Sequence, residues 1–152
     1  CSAISAGGLG GTGGSGILGP AEYAKMHIGT GNEGRLIDGD LRGRMTDHKM
    51  YAKAFYLTVQ RQAEQAKACQ QVGHTASILK YGAAKINQDR HELLVEALGT
   101  EGLGWEGEGF DPSAKKVTRQ WLRSKGNSIE GGTSEINLNV ISKPVLGLKD
   151  HK

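Results

Sequence analysis

From Asp38 onward the chain alternates long stretches of regularly spaced apolar residues with short glycine-bearing breaks. The first stretch sets Leu41, Met45, Ala52, Phe55, Val59, Ala63 and Ala66 at steps of three, four and seven, one apolar stripe down a helix. Arg42, Lys49, Lys53, Gln60 and Gln62 fall on the opposite face. The pattern predicts a helix running to about Gln70 and capped by Asp38 or Asp40. A second stretch, Thr75 to Leu98, puts Ile78, Leu79, Ala83, Ile86, Leu93, Leu94, Ala97 and Leu98 on its core side, with Gly99 placed to end it. Asp111-Pro112 opens a third helix, which carries Val117, Trp121 and Leu122 and stops at Gly126-Asn127. Thr133 or Ser134 can cap a last one, with Ile136, Leu138, Val140 and Ile141 as its apolar residues. Ahead of these, Pro20 suits the first turn of a short helix over Ala21 to His27, stopped by Gly29 and Gly31.

No run alternates with the period of a strand, and Glu101–Gly109 reads as a solvated loop. The expected fold class is all-α, an up-and-down bundle of four or five helices. Residues 7–19 are too rich in glycine to hold a helix. Residues 1–19 therefore read as a leader or the remnant of a first bundle helix, and 20–152 as one helical domain. Gly8 to Gly13 spells G-x-G-x-x-G, but no apolar strand precedes it, and no Gly-Lys-Ser/Thr follows to make a Walker loop.

Composition narrows the function classes. The 152 residues suffice for one domain with a core. A net charge of +3 and 5% aromatics argue against a nucleic-acid binder. No apolar run approaches the roughly 20 residues that cross a bilayer, and no signal peptide is visible. Two cysteines, Cys1 and Cys69, point to a reduced, cytoplasmic setting. A chain that opens on Cys1 rather than Met is expected to be part of a longer protein. No metal site is expected. His91-Glu92 starts like H-E-x-x-H, but position 95 is Val, and His27, His48, His74, His91 and His151 show no ligand spacing. No G-x-S-x-G elbow is present.

Ile129-Glu130-Gly131-Gly132-Thr133-Ser134-Glu135-Ile136 is the segment with chemistry to offer. Its two glycines leave the backbone bare to a planar group. Its hydroxyls cap a helix start, where free N–H groups attract anions such as a phosphate. The plainer reading is a glycine-broken helix connection with ordinary capping.

Together with the exit Ser142-Lys143-Pro144-Val145-Leu146-Gly147-Leu148, this loop resembles the C-terminal signature of the acyl-CoA dehydrogenases, I-x-E/G-G-T-S-E/Q-I followed by A/S-K-R-V-L-G-L. The likeness covers the last sixth of the chain closely and runs back more loosely through RHELLVEALG and WLRSKGNSIEGG. It implies the C-terminal four-helix bundle of a three-part enzyme that uses FAD to oxidise an acyl-CoA to the trans-2-enoyl form. It also implies electron-transfer flavoprotein as the acceptor, and a homotetramer cored by these bundles, with FAD shared across subunits.

The resemblance carries over residue by residue. In many members the catalytic glutamate lies two residues before the loop Thr, which here is Gly131; Glu130 is one residue early and stands as a candidate. Other members take the base from an earlier helix, which would lie at or before Cys1, and no acidic residue precedes Glu22. Gly132, Thr133 and Glu135 fall on positions that lie against FAD. The segment Q-x-x-G-G, which meets the flavin pyrophosphate of a neighbouring subunit, falls on Glu96 to Thr100, with Gly99 kept and Gln replaced by Glu96. R-x-x-F-G falls on Lys25 to Gly29, where Lys25 keeps a charge but loses the guanidinium fork. Pro144 takes the place of an Arg and is expected to kink or end the last helix. Gly131, Glu96 and Lys25 also suit two other readings: a helical scaffold without activity, or one chain of a heteromeric dehydrogenase whose partner is catalytic. The bundle alone is expected to be inactive, to expose apolar faces and to self-associate.

Overall fold

The computed structural model describes residues 19–68 and 75–149. The leader up to residue 18, both cysteines, the G-x-G-x-x-G run, Gln70, His74 and His151 lie outside them. Among the described residues five α-helices follow one another: α1 (Pro20–His27), α2 (Gly39–Lys67), α3 (Thr75–Leu98), α4 (Pro112–Ser124) and α5 (Ser134–Val140). Single 3-10 turns stand at Asn32–Gly34, Gly99–Leu103 and Lys125–Ser128. The described residues hold no strand beyond one isolated bridge, Thr30 to Leu36, which closes the loop between α1 and α2. The fold is all-α.

The caps stand where the sequence puts them. Asp38 accepts from the Leu41 amide at 2.9 Å to start α2, and Asp111 accepts from the Ser113 amide at 2.7 Å to start α4, with Pro112 in its first turn. Gly99 adopts φ +56° just past α3.

α3 is the axis of the molecule and packs against α1, α2, α4 and α5. Its last turns carry the core. Ala24 of α1, Leu36, and Leu41 and Met45 of α2 close on Leu93 and Ala97. On the other side Tyr23 and the α4 residues Ala114 and Val117 close on Leu94 and Leu98. Thr118 ties α4 to the loop through the Gly102 carbonyl at 3.0 Å.

The long stripe of α2 is only half used. Leu41 and Met45 are buried, whereas Ala52, Phe55 and Val59 are half-buried and Ala63 and Ala66 are exposed. On α3 the expected core residues Ile78, Leu79, Ala83 and Ile86 likewise keep part of their surface. Along this stretch, among the described residues, the seam between α2 and α3 stays partly open. A groove of about 630 Å³ runs between them over Phe55, Ile78, Ile86 and Leu93. The helices close to contact where a Cβ on Gly82 would stand 3.0 Å from the Phe55 ring.

The apolar face expected of the last helix changes, while Pro144 ends its α-geometry as expected. Ile136 and Leu138 are exposed at 57% and 44%, and the residue turned inward between them is Asn137. The Asn137 amide donates to the Gly132 and Thr133 carbonyls at 3.1 and 2.8 Å, which fixes the helix by its polar residue. α-Geometry ends at Val140 and widens into a π-turn, Ile141–Val145, that contains Pro144. Pro144 has no N–H to give and its ring crowds the carbonyl four residues back, so the turn opens and Leu146 N–H reaches Ile141 O at 3.0 Å.

Candidate functional site

The loop between α4 and α5 is built from both ends. On the α4 side Ile129 and Glu130 N–H both donate to the Gly126 carbonyl at 3.0 Å. Arg123 Nη2 lies 2.5 Å from Glu130 Oε1, and Asn127 Nδ2 lies 3.4 Å from Oε2. On the α5 side Thr133 is the N-cap, and its hydroxyl accepts from the Ile136 amide at 3.3 Å.

Between these anchors Gly131 and Gly132 take φ +64° and +95°. Both values lie in the left-handed region that glycine enters freely and other residues avoid. The chain thus crosses this span with no side chain on it, and Gly131 is exposed. Ile129 and Ile136, which flank the span in sequence, are exposed at 69% and 57%. Lys80 of α3 reaches across to the Gly132 carbonyl at 2.5 Å. Glu135 is held below the ordinary carboxylate range by its own backbone N–H, by the Thr133 hydroxyl and by the Lys80 ammonium.

Glu96 and Gly99 lie elsewhere. Glu96 pairs with Arg44 of α2 at 2.6 Å, which links the two long helices on the exposed side. From Lys80 to Glu96 is sixteen residues of one helix, about 24 Å. The Glu96–Gly99 corner and the 129–136 loop therefore do not meet within one chain. Lys25 projects from α1, whose neighbours Tyr23 and Ala24 bury against the Leu93–Leu98 end of α3, so it belongs with that corner. Lys80, Arg123 and Asn137 are residues that the sequence did not single out. Asn137, a poor helix former inside an apolar run, was the signal for one of them. Lys80 had none, since its contact spans 52 residues.

The sequence matches the family described as acyl-CoA dehydrogenase, C-terminal domain, over residues 22–146. The chain belongs to the acyl-CoA dehydrogenase family. No curated protein gives a match. Among solved structures, a chain of the ChsE4-ChsE5 complex from Mycobacterium tuberculosis is similar, with a TM-score of 0.63 at 18% identity over 88% of this chain. At that identity the likeness speaks to the fold. This chain spans 36% of the length of that solved chain. In acyl-CoA dehydrogenase terms, the match begins within α1, takes in α2 to α5 and covers all but the end of the exit segment. Among the described residues no helix is long and apolar enough to cross a membrane, and no cluster of His, Cys, Asp and Glu could hold a metal ion.

Proposed function

We propose that this domain is the flavin-facing and subunit-pairing part of an FAD-dependent acyl-CoA dehydrogenase. The observation that carries the reading is the bare Gly131–Gly132 span with Thr133 capping beside it, in a chain of this family. The residues present fit a flavin. Two adjacent left-handed glycines leave a strip of backbone that a planar ring can approach, and the exposed Ile129 and Ile136 nearby in sequence offer apolar surface. When bound, FAD would take up the hydride that leaves the acyl chain. Gly132, Thr133 and Glu135 would contact it from this chain. Glu96 and Gly99 at the far end of α3, with Lys25 on the neighbouring α1, would serve a second subunit's flavin, in keeping with a tetramer. The outward Ile136 and Leu138, and the groove between α2 and α3, supply apolar surface for such neighbours. Acyl-CoA and electron-transfer flavoprotein are the partners this reading assigns, and the cytoplasm is its setting. Residues 1–19 precede the domain proper, which runs from 20 to 152.

The base is not expected from this loop. Position 131 has no side chain, and the carboxylate of Glu130 is engaged by Arg123 and Asn127. That arrangement favours a second reading as well, one chain of a heteromeric dehydrogenase, and the similar solved structure is itself a complex of two named chains. Purification of the full-length protein from its source cells decides between them. A yellow protein whose flavin bleaches on adding an acyl-CoA supports the first. Bleaching that needs a second, related chain supports the other, and a colourless protein in every combination overturns both.

A further inference from the structure

Lys80 stands half-buried on α3, and its ammonium binds the 129–136 loop to the axis of the bundle. Nζ donates to the Gly132 carbonyl at 2.5 Å, and Cε is the heavy atom nearest to where a Cβ on Gly131 would stand, at 4.0 Å. The Gly132 carbonyl also accepts from Asn137 at 3.1 Å, so both of its lone pairs are used. The loop's other described hydrogen bonds come from residues 123–137, which move with α4 or α5. Two consecutive glycines have the most backbone freedom to lose, and a loop built on them needs an external reference to hold one shape. A charge-assisted bond from a rigid helix is such a reference.

We infer that Lys80 is a positioning residue of this site: fixed on α3, its ammonium holds the Gly131–Gly132 turn, and with it Thr133 and Glu135, in the orientation that a flavin would meet. The flavin part of this inference rests on the function proposed above; the positioning part does not. Lys80 touches the loop backbone and acts through it. A methionine at position 80 would keep the length and packing of the stem and lose the donor and the charge, whereas arginine would keep both.

The test compares wild type, Lys80→Met and Lys80→Arg in the full-length protein purified with FAD, by amide hydrogen exchange and by the FAD dissociation constant. Loss of one bond to a charged group is expected to speed exchange at residues 131–136 about tenfold and to weaken FAD binding by a similar factor. Exchange at Leu93 to Leu98 is expected to stay unchanged, and Lys80→Arg to return both readouts to near wild type. Unchanged loop exchange in Lys80→Met overturns the inference, as does faster exchange spread over all of α3, which would make Lys80 a support of the helix rather than of the site. If the wild-type protein holds no flavin, the proposed function fails, and the exchange comparison still decides the role of Lys80.

Discussion

Arg123 and Glu130 face each other across the turn that leaves α4, Nη2 to Oε1 at 2.5 Å, and this pair sets the direction of the one loop carboxylate near the family's base position. Both side chains are more than half exposed, at 68% and 54%. An exposed pair contributes about 0–1 kcal/mol, so its importance is geometric rather than energetic. Glu130→Gln is therefore expected to leave turnover of the full-length enzyme within about threefold, against the 10²–10⁴-fold loss that follows removal of a general base. Steady-state rates with an acyl-CoA substrate and an artificial electron acceptor check this, and a loss of 10²-fold or more would make Glu130 the base after all.

Thr133 caps a helix of only seven residues, so the cap is a large share of what holds it. Thr133→Ala is expected to cost about 1 kcal/mol and to fray Ser134 to Asn137 first, while Thr133→Ser costs little. Urea unfolding gives the total, and amide exchange shows whether the loss begins at α5.

Leu94 is fully buried between α1, α3 and α4, whereas Leu138 stands 44% exposed on α5. Leu94→Ala is expected to destabilise the domain by about 2–5 kcal/mol. Leu138→Ala in the domain alone should fall within roughly 0.5 kcal/mol, as at other surface sites. Denaturant midpoints of the two variants test the contrast. A large effect of Leu138→Ala at high protein concentration that fades on dilution would show self-association through this face.

His91 is buried, with Nδ1 2.8 Å from the Asn87 carbonyl, and burial lowers its pKa below the ordinary 6.5; burial does the same to His48 in the groove. The unfolded chain then binds these protons at a pH where the folded one does not, so stability falls as the pH drops below about 6.5 and is fully present above it. Glu135 and Asp111 are shifted down from values already near 4, which keeps their titration outside this window. The urea midpoint is expected to drop between about pH 7.5 and about pH 5.5, and His91→Gln to make that slope shallower. A midpoint that does not change over this range would contradict the assignment.

The helices were legible because each start and stop is written locally: Asp38 and Asp111 carry their caps with them, and Pro20, Pro112 and Gly99 need no distant partner. Burial was legible only where several elements converge. Leu93, Leu94, Ala97 and Leu98 repeat on a stripe that α1, α2 and α4 surround, whereas Ala63 and Ala66 repeat just as regularly on a stretch of α2 that stays exposed. Periodicity reports that a face is apolar and not what covers it. Within the site, Thr133 was readable as a cap and the glycines as bare backbone. Lys80 was not, because nothing near it in sequence distinguishes it from any other helix lysine, and Asn137 was passed over for the apolar residues beside it.

The contact of Gly82 with Phe55 makes the seam between the two long helices a hinge with its pin already seated. Any side chain at position 82 would push against an aromatic ring lodged in a long helix. From Phe55 to the end of α2 is a lever of twelve residues, about 18 Å, so a few tenths of an ångström at the pin become a visible swing at the tip. Lys80 stands two residues earlier on α3, about 200° round the helix from Gly82, where it meets the glycine loop instead. One face of α3 thus takes the aromatic ring of α2 while another holds the glycine loop, and a methyl group added at position 82 presses on the helix that both share.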